Sequence, residues 1–183
     1  MVAGSRYTLV ALTFFLAVAT VDGTVFEAEV MEDGIRFERK AEATFRWRGI
    51  FRVYDGALYK ENDRDFRQAL NGDAPLRLEL QYSRSFAASD IVEGGNALLR
   101  KNVDEDTLNR LSDRLEKINA AYRDISPGDR YSLTFVPDKG TTLRLNGEPL
   151  VTVEGSDFAT AYFRIWLGEE PISTSFRDRL LGQ

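Results

Sequence analysis

The sequence contains no cysteine and no histidine. A Ser-His-Asp triad, a cysteine nucleophile, and a zinc or iron site built on imidazole or thiolate ligands are therefore excluded. Disulfide bonds are excluded as well, so the folded chain must be stabilised by its hydrophobic core. Carboxylate metal sites remain chemically possible, but no spacing of Asp and Glu resembles a calcium-binding loop. We therefore expect neither a metal ion nor another cofactor.

The chain also lacks a basic bias and any low-complexity tract. Its 183 residues include 24 Lys and Arg against 29 Asp and Glu, for a net charge of -5, and the two signs are interleaved. Nucleic-acid binding domains usually carry a basic face or stripe, so we expect no nucleic-acid partner. A protein partner is not identifiable from these features. The length fits one domain after removal of a leader.

The N-terminal segment has the pattern of a secretory signal. Arg6 precedes an uncharged run over residues 7–19. A bilayer-spanning helix needs roughly 20 apolar residues, so this run is short for a membrane span and fits the hydrophobic region of a signal peptide. A retained N-terminal anchor or a buried first helix is the alternative.

Small residues follow this run at the positions that a signal peptidase reads. Ala17 and Ala19 predict cleavage after Ala19, with cleavage after Gly23 as the alternative. We expect residues 1–23 to be a cleaved signal peptide and residues 24–183 to form the mature domain. The mature protein is then expected to be periplasmic or secreted, with no stable membrane anchor.

Alternating apolar and polar side chains predict several strands. The clearest alternation is Leu76, Leu78, Leu80 and Tyr82 against intervening polar residues. Further strands are predicted over residues 24–30, over 35–59 as two long strands with a break or bulge near Gly49, and over 131–153 as hairpins.

Helical spacing is strongest after Asp104, where Leu108, Leu111, Leu115 and Ile118 recur every three or four residues. Shorter helices are predicted over residues 64–70, from a cap at Ser89-Asp90 to about 101, after a cap at 155–157, and over 173–181. This order predicts an α+β fold, in which a large antiparallel sheet has helices on one face.

Gly94 and Gly95 lie inside the second predicted helix. A glycine there costs about 1 kcal/mol relative to alanine. The pair therefore indicates either close packing or a nearby ligand, with a locally kinked surface helix as an equal alternative.

Three segments resemble the chalcone isomerase-like superfamily. They are Phe51-Arg52-Val53-Tyr54-Asp55-Gly56-Ala57-Leu58-Tyr59, Arg130-Tyr131-Ser132-Leu133-Thr134-Phe135 after Ser126-Pro127-Gly128, and Ile165-Trp166-Leu167-Gly168-Glu169 followed by Pro171, Ser173, Arg177 and Leu180-Leu181-Gly182. The resemblance covers most of the mature chain. It implies an open-faced β-sandwich with a cleft between the sheet and the helices.

The resemblance also implies which catalytic groups are present. The plant isomerases use an Arg, a strand Thr, a helix Tyr and Asn, and a late hydroxyl. The corresponding positions here are Glu42, with Arg46 and Arg48 close by, then Tyr54, Ser89, Asn96 and Ile165. Because the set is incomplete, flavonoid cyclisation is not expected.

Non-catalytic relatives of this fold bind fatty acids through an Arg–Tyr pair, and Arg48 with Tyr54 is the nearest equivalent. On an unbroken strand, Arg48, Arg52 and Tyr54 would share one face, although alternating arginines are also typical of a solvated face. A guanidinium beside a phenol can hold a carboxylate. We therefore predict a non-catalytic, extracytoplasmic binding protein for a fatty acid or another small amphipathic carboxylate, with Arg48, Arg52, Tyr54 and Asn96 as the ligand-binding residues.

Two other hypotheses remain at this point. The first is an isomerase or lyase acting on an enone, with Arg48, Tyr54 and Asn96 as its polar set and Tyr54 as the general acid. The second is an interaction module without a ligand, whose sheet face docks a partner.

Overall fold

The computed structural model describes residues 26–61 and 66–183. The predicted signal peptide and both of its cleavage sites lie outside the described residues, as do the first positions of the predicted 24–30 strand and 64–70 helix. Among the described residues, no helix has the length and apolar character needed to cross a membrane.

Within residues 26–61 and 66–183, seven strands form one antiparallel sheet in which every strand pairs with the next strand along the chain. They are β1 (Glu29–Glu32), β2 (Ile35–Trp47), β3 (Phe51–Glu61), β4 (Leu76–Tyr82), β5 (Arg130–Val136), β6 (Gly140–Leu145) and β7 (Glu148–Val153). The predicted α+β class with a large antiparallel sheet is confirmed.

The described residues form five helices beside the sheet: α1 (Phe66–Leu70), α2 (Ala88–Asn102), α3 (Glu105–Ala121), α4 (Ser156–Leu167) and α5 (Thr174–Leu181). Helix α5 packs on β2 and β3, α4 contacts β6 and α2, and α3 contacts β7. The main core lies between these helices and the sheet. Sheet residues such as Leu78 and Leu143 meet helix residues such as Leu111, Ile118 and Phe158 there, all of them buried.

Short turns join several of the strands, with two residues between β1 and β2 and between β6 and β7, and three between β2 and β3. Asp33-Gly34, Arg48-Gly49 and Asn146-Gly147 all have positive φ at both positions, the backbone of a type I′ hairpin turn. The predicted break near Gly49 is therefore a complete turn. Because β2 ends at Trp47 and β3 begins at Phe51, the alternation does not run unbroken through this segment.

Helix α2 begins earlier than predicted. Its N-cap is Ala87, so the prediction of a cap at Ser89-Asp90 was wrong. The backbone N–H of Ala88 instead donates to Asp124 Oδ1 at 2.8 Å, which supplies the acceptor that a local cap would provide. The prediction for α3 is confirmed, since Asp104 accepts a hydrogen bond from the Thr107 N–H at 2.8 Å.

The face of the sheet that the main helical core leaves uncovered is closed by the chain's own N-terminal hairpin. Glu32, in β1, ion-pairs with Arg77 in β4 and accepts from Arg144 Nε in β6 at 2.7 Å. These contacts require the sheet to curl, because β1 is separated from β4 by two strands in the sheet order. A second cluster of buried residues lies in the same region: Phe26, Phe37, Ala57, Tyr59 and Val136.

Candidate ligand-binding site

A cavity of about 790 Å³ lies between the sheet and helices α2 and α4. Its walls come from the end of β2, the start of β3, the end of β4 and the facing sides of the two helices. Most of the lining is apolar or aromatic, for example Phe45, Val53, Phe86, Ile91, Leu98 and Ile165. This volume and lining are typical of sites for small organic ligands.

A β-bulge sets which side chains of β3 face the cavity. Tyr54 pairs with Phe45, but Arg52 pairs with Arg46, so Val53 is an extra residue in β3. Both Val53 and Tyr54 line the cavity, whereas Arg52 does not line it and ion-pairs with Asp55. A bulge shifts the alternation by one residue. The expectation that Arg52 and Tyr54 share a face was therefore wrong.

Tyr54 lies at the buried end of the cavity. It is 3% exposed, and its ring packs against Phe45, Tyr82 and Phe176 at centroid distances of 5.1, 5.3 and 5.5 Å. Among the described residues, its hydroxyl makes no hydrogen bond of standard geometry. Burial raises the pKa of the Tyr54 phenol well above its ordinary value. The nearby Trp166 side chain opposes part of this rise in pKa, but an indole N–H can only donate, so the phenol proton has no acceptor. The group is thus a neutral donor in the wall of a mainly apolar cavity.

Two further phenols contribute to the same wall. The hydroxyls of Tyr122 and Tyr162 lie 2.9 Å apart and hydrogen-bond to each other. Burial is the main cause that raises the pKa of each phenol above its ordinary value. The buried end of the cavity is therefore uncharged at physiological pH.

Charge is found at the cavity mouth. In the described part of the chain, the charged lining residues are Arg84 and Asp90, and both are exposed. The Arg84 guanidinium lies 5.3 Å from the centroid of the Phe51 ring, and its Nε donates to the Arg52 carbonyl oxygen at 3.2 Å. A guanidinium held at the rim of an apolar cavity can pair with an anionic headgroup.

Sequence reasoning missed Arg84. It follows the strand that was most clearly predicted, in Ser83-Arg84-Ser85. The pairing of Tyr54 with Tyr82 brings the end of β4 beside the start of β3. A basic residue directly after β4 could therefore have been placed at the same edge as Phe51.

The other predicted residues lie elsewhere. Arg48 occupies the turn between β2 and β3 with a φ of 52°, is exposed, and stacks on Trp47 with its guanidinium 4.3 Å from the ring centroid. Asn96 accepts a hydrogen bond from Asn119 Nδ2 at 3.3 Å, which directs it towards α3. Of the four predicted ligand-binding residues, Tyr54 lines the cavity and Arg48, Arg52 and Asn96 do not. Their roles stay predictions, and the polar set of the isomerase hypothesis is not brought together.

Gly94 and Gly95 both line the cavity. A Cβ built on Gly94 would meet no heavy atom within 4 Å, and one on Gly95 would make an ordinary contact with Ile165 Cδ1 at 3.7 Å. Close packing therefore does not require either glycine. Their effect is to leave space on the cavity side of α2.

Residues 26–61 and 66–183 contain no group of three or more acidic side chains arranged to hold a metal ion. The polar groups that line the cavity are its phenols, Ser83, Ser85, Arg84 and Asp90.

Comparisons with known proteins agree with this architecture. The sequence model of chalcone isomerase-like proteins matches residues 19–182. A solved structure of a fatty-acid binding protein from Arabidopsis thaliana superposes with a TM-score of 0.64 at 14% identity, and the match covers 85% of this chain and 90% of that one. At this identity the likeness shows the fold. No curated protein matches the chain.

Proposed function

Because the chain belongs to the chalcone isomerase-like family, we propose that it is a non-catalytic binding protein for a small amphipathic molecule, with a fatty acid as the leading candidate. The observation that carries the proposal is the cavity of about 790 Å³, apolar inside and bearing Arg84 at its mouth. The fatty-acid binding protein that shares the fold supports this ligand class.

The charge distribution orients the ligand. A carboxylate at the buried end would face Tyr54 and the Tyr122–Tyr162 pair, with no described cation lining that end. An unpaired buried charge costs several kcal/mol. At the mouth, the same carboxylate lies near Arg84 and keeps part of its hydration. The bound fatty acid therefore holds its headgroup at Arg84 and its tail against the tyrosines.

The Tyr54 hydroxyl adds a preference for particular tails. A buried donor without a partner costs about 1–3 kcal/mol, and a neutral ligand oxygen placed beside it recovers part of that cost. A hydroxy or keto fatty acid with its oxygen at the far end should therefore bind more tightly than the plain acid.

The cellular site proposed for this binding is outside the cytoplasm. Support comes from the signal-peptide pattern of residues 1–23. Cell fractionation of the full-length chain, with N-terminal sequencing of the mature protein, tests the location and the cleavage position together.

The first experiment asks whether the cavity holds a ligand. Organic extraction of the purified protein followed by mass spectrometry should recover an amphipathic carboxylate, and delipidated protein should take up added fatty acid. Gly95→Leu projects a side chain towards Ile165 and should abolish uptake without unfolding the protein, since leucine favours helices. If nothing is extracted and nothing can be loaded, the proposal fails.

The second experiment tests the orientation with matched ligands. Arg84→Ala should weaken binding of a fatty acid by up to about fivefold, the usual range for an exposed ion pair, and leave the fatty alcohol of equal length unaffected. Arg100→Ala, an exposed arginine near the other end of α2, serves as the control. Equal losses for acid and alcohol would contradict a headgroup at Arg84. Tyr54→Phe should remove the preference for an oxygenated tail and leave the thermal midpoint nearly unchanged.

A further inference from the structure

Exposed apolar side chains are concentrated where β2 turns into β3. Trp47, Ile50 and Phe51 are 51%, 74% and 43% exposed, and they account for three of the four large hydrophobic residues exposed in the described chain. We call residues 46–52 the hairpin tip. Trp47 and Phe51 also line the cavity, so the tip forms part of its mouth.

The hairpin tip is basic in a chain whose net charge is -5. Arg46, Arg48 and Arg52 lie within it, Arg84 stacks on Phe51 beside it, and residues 46–52 include no Asp or Glu. Arg46 stands directly opposite Arg52 in the β2–β3 pairing. Like charges in that position destabilise a hairpin, and the ion pair between Arg52 and Asp55 offsets part of this repulsion. An anionic surface would offset the rest.

Lipid headgroups fit this combination of side chains. Trp and Phe rings partition to the bilayer interface, and arginines keep their charge at phosphate level while their stems lie along apolar surface. Here the Arg48 guanidinium already stacks on the Trp47 ring at 4.3 Å. Ile50 directly follows the Arg48-Gly49 turn and is 74% exposed, and a protruding apolar residue there can insert between headgroups.

We propose that the hairpin tip docks the protein reversibly on an anionic lipid bilayer, with the cavity mouth facing the membrane. Two observations favour an anionic bilayer as the partner. The charge of the hairpin tip is complementary to anionic headgroups, and the tip is continuous with the cavity mouth through Trp47, Phe51 and Arg84. Docking there would let an amphipathic ligand pass between bilayer and cavity without crossing water. This goes beyond the binding function, and either can hold without the other.

Vesicle sedimentation tests the docking. The mature protein should bind vesicles of equal parts phosphatidylglycerol and phosphatidylcholine, and bind phosphatidylcholine vesicles far more weakly. Added salt should weaken the binding, because screening reduces the attraction between exposed charges. Brominated lipid should quench the fluorescence of the wild type more than that of Trp47→Phe, which retains the buried Trp166.

Two tip variants have matched controls elsewhere on the surface. Arg46→Glu should lower vesicle binding at least about fivefold, the equivalent of about 1 kcal/mol for each arginine lost. The hairpin should fold as well as before, because the new carboxylate lies opposite Arg52. Ile50→Asp should lower binding by a similar factor or more. Met31→Asp, at an exposed apolar residue outside the tip, and Arg100→Glu should leave binding within about twofold.

Each other outcome overturns the proposal. Equal binding to both vesicle types would do so, as would equal losses in the tip variants and in their controls. Concentration-dependent dimerisation in solution that Ile50→Asp removes would assign the hairpin tip to contact with a second copy instead. Uptake of fatty acid from detergent-free solution separates the two proposals. Ile50→Asp and Arg46→Glu should take up fatty acid as the wild type does. If the wild type takes up none, the binding function is wrong and the membrane docking is unaffected.

Discussion

The two faces of the sheet differ in whether they leave a cavity and in whether their buried polar groups have partners. On one face, helices α2 and α4 stand off from the strands and leave a cavity of about 790 Å³ with an unpartnered Tyr54 hydroxyl. On the other, the N-terminal hairpin closes over buried charges that are all partnered: Arg77 donates to Glu79 Oε1 at 2.7 Å and to Thr134 Oγ1 at 2.6 Å, and Arg130 donates to Glu79 Oε2 at 3.0 Å.

This difference separates stability from binding within one small domain. Cavities and unpartnered polar groups cost stability. Of the two buried hydroxyls without a partner in the described chain, Tyr54 lines the cavity and Thr141 does not, so we expect a ligand to use the combination at Tyr54. On the face with the ion network, Glu32, Arg77, Glu79 and Arg130 are held in ion pairs, and these polar groups serve the fold. Changes on the network face should therefore alter folding, and changes on the cavity face should alter ligand uptake.

The largest effect is expected at Glu79. Its side chain is 3% exposed and pairs with both Arg77 and Arg130. Glu79→Gln keeps the shape but leaves buried guanidinium charge without that carboxylate, so we expect a loss of about 3–5 kcal/mol in the free energy of unfolding. Urea denaturation measures it, with Glu116→Gln on the exposed face of α3 as the control. A loss below about 1 kcal/mol would show that the network is dispensable.

Alkaline pH should act mainly through the cavity face. Burial is the largest cause raising the pKa of Tyr54, Tyr82, Tyr122 and Tyr162 above their ordinary value of 10.0. The unfolded chain therefore loses these protons first. Stability should be constant with respect to these groups below pH of about 10 and then fall, by up to about 1.4 kcal/mol per pH unit for each phenol.

Denaturation curves at increasing pH measure this fall, and Tyr54→Phe should make it shallower by one phenol. Below pH of about 9 the difference in stability between the two proteins should not change with pH, which provides an internal control. Parallel curves above pH of about 10 would mean that the Tyr54 phenol ionises as readily in the folded protein as in the unfolded chain.

The smallest effect is expected at Gly94, and it should have opposite signs for stability and binding. Alanine fits there without a clash and favours the helix, so Gly94→Ala should stabilise the protein by about 0.5–1 kcal/mol. The added methyl group narrows the cavity and should reduce fatty-acid uptake. Thermal unfolding and ligand titration measure the two quantities. As a control, Ser112→Ala, on the exposed side of α3, should stabilise the protein slightly without changing fatty-acid uptake. If Gly94→Ala takes up as much fatty acid as the wild type, Gly94 affects only the helix and not the binding site.

Local patterns were enough to predict most of the sheet, although β1 lies at Glu29–Glu32 and overlaps the predicted 24–30 strand only at residues 29–30. The alternation of Leu76, Leu78 and Leu80 predicted β4, and the leucine spacing after Asp104 predicted α3, because one face of each element is buried. The start of α2 was placed wrongly, since its first N–H bonds to Asp124, a residue 36 positions away. Contacts of that range leave no local pattern.

The site was harder to predict than the fold. The cavity beside Tyr54 was expected and is present, but Arg48 and Arg52, which were expected to line it, do not line it. The turn at Arg48-Gly49 and a bulge at Val53 each change the direction of the following side chains. An arginine with positive φ is uncommon, and a bulge has no clear sequence signal. The simple alternation of side chains along a strand therefore placed Arg52 on the wrong face. Arg84 became visible only through the pairing of β3 with β4.

The curl of the sheet has a consequence for the order in which the protein is completed. The β1–β2 hairpin is encoded first, yet Glu32 must reach Thr134 and Arg144, which lie 102 and 112 residues further along the chain. Strands that follow each other in the chain can pair with little loop closure. The contact between Glu32 and Arg144 requires β6 to be present, and it has a larger entropy cost because a long loop must be closed. We therefore expect the contacts of Glu32 to form late in folding, and a chain cut short before Arg144 would leave Glu32 without its Arg144 partner.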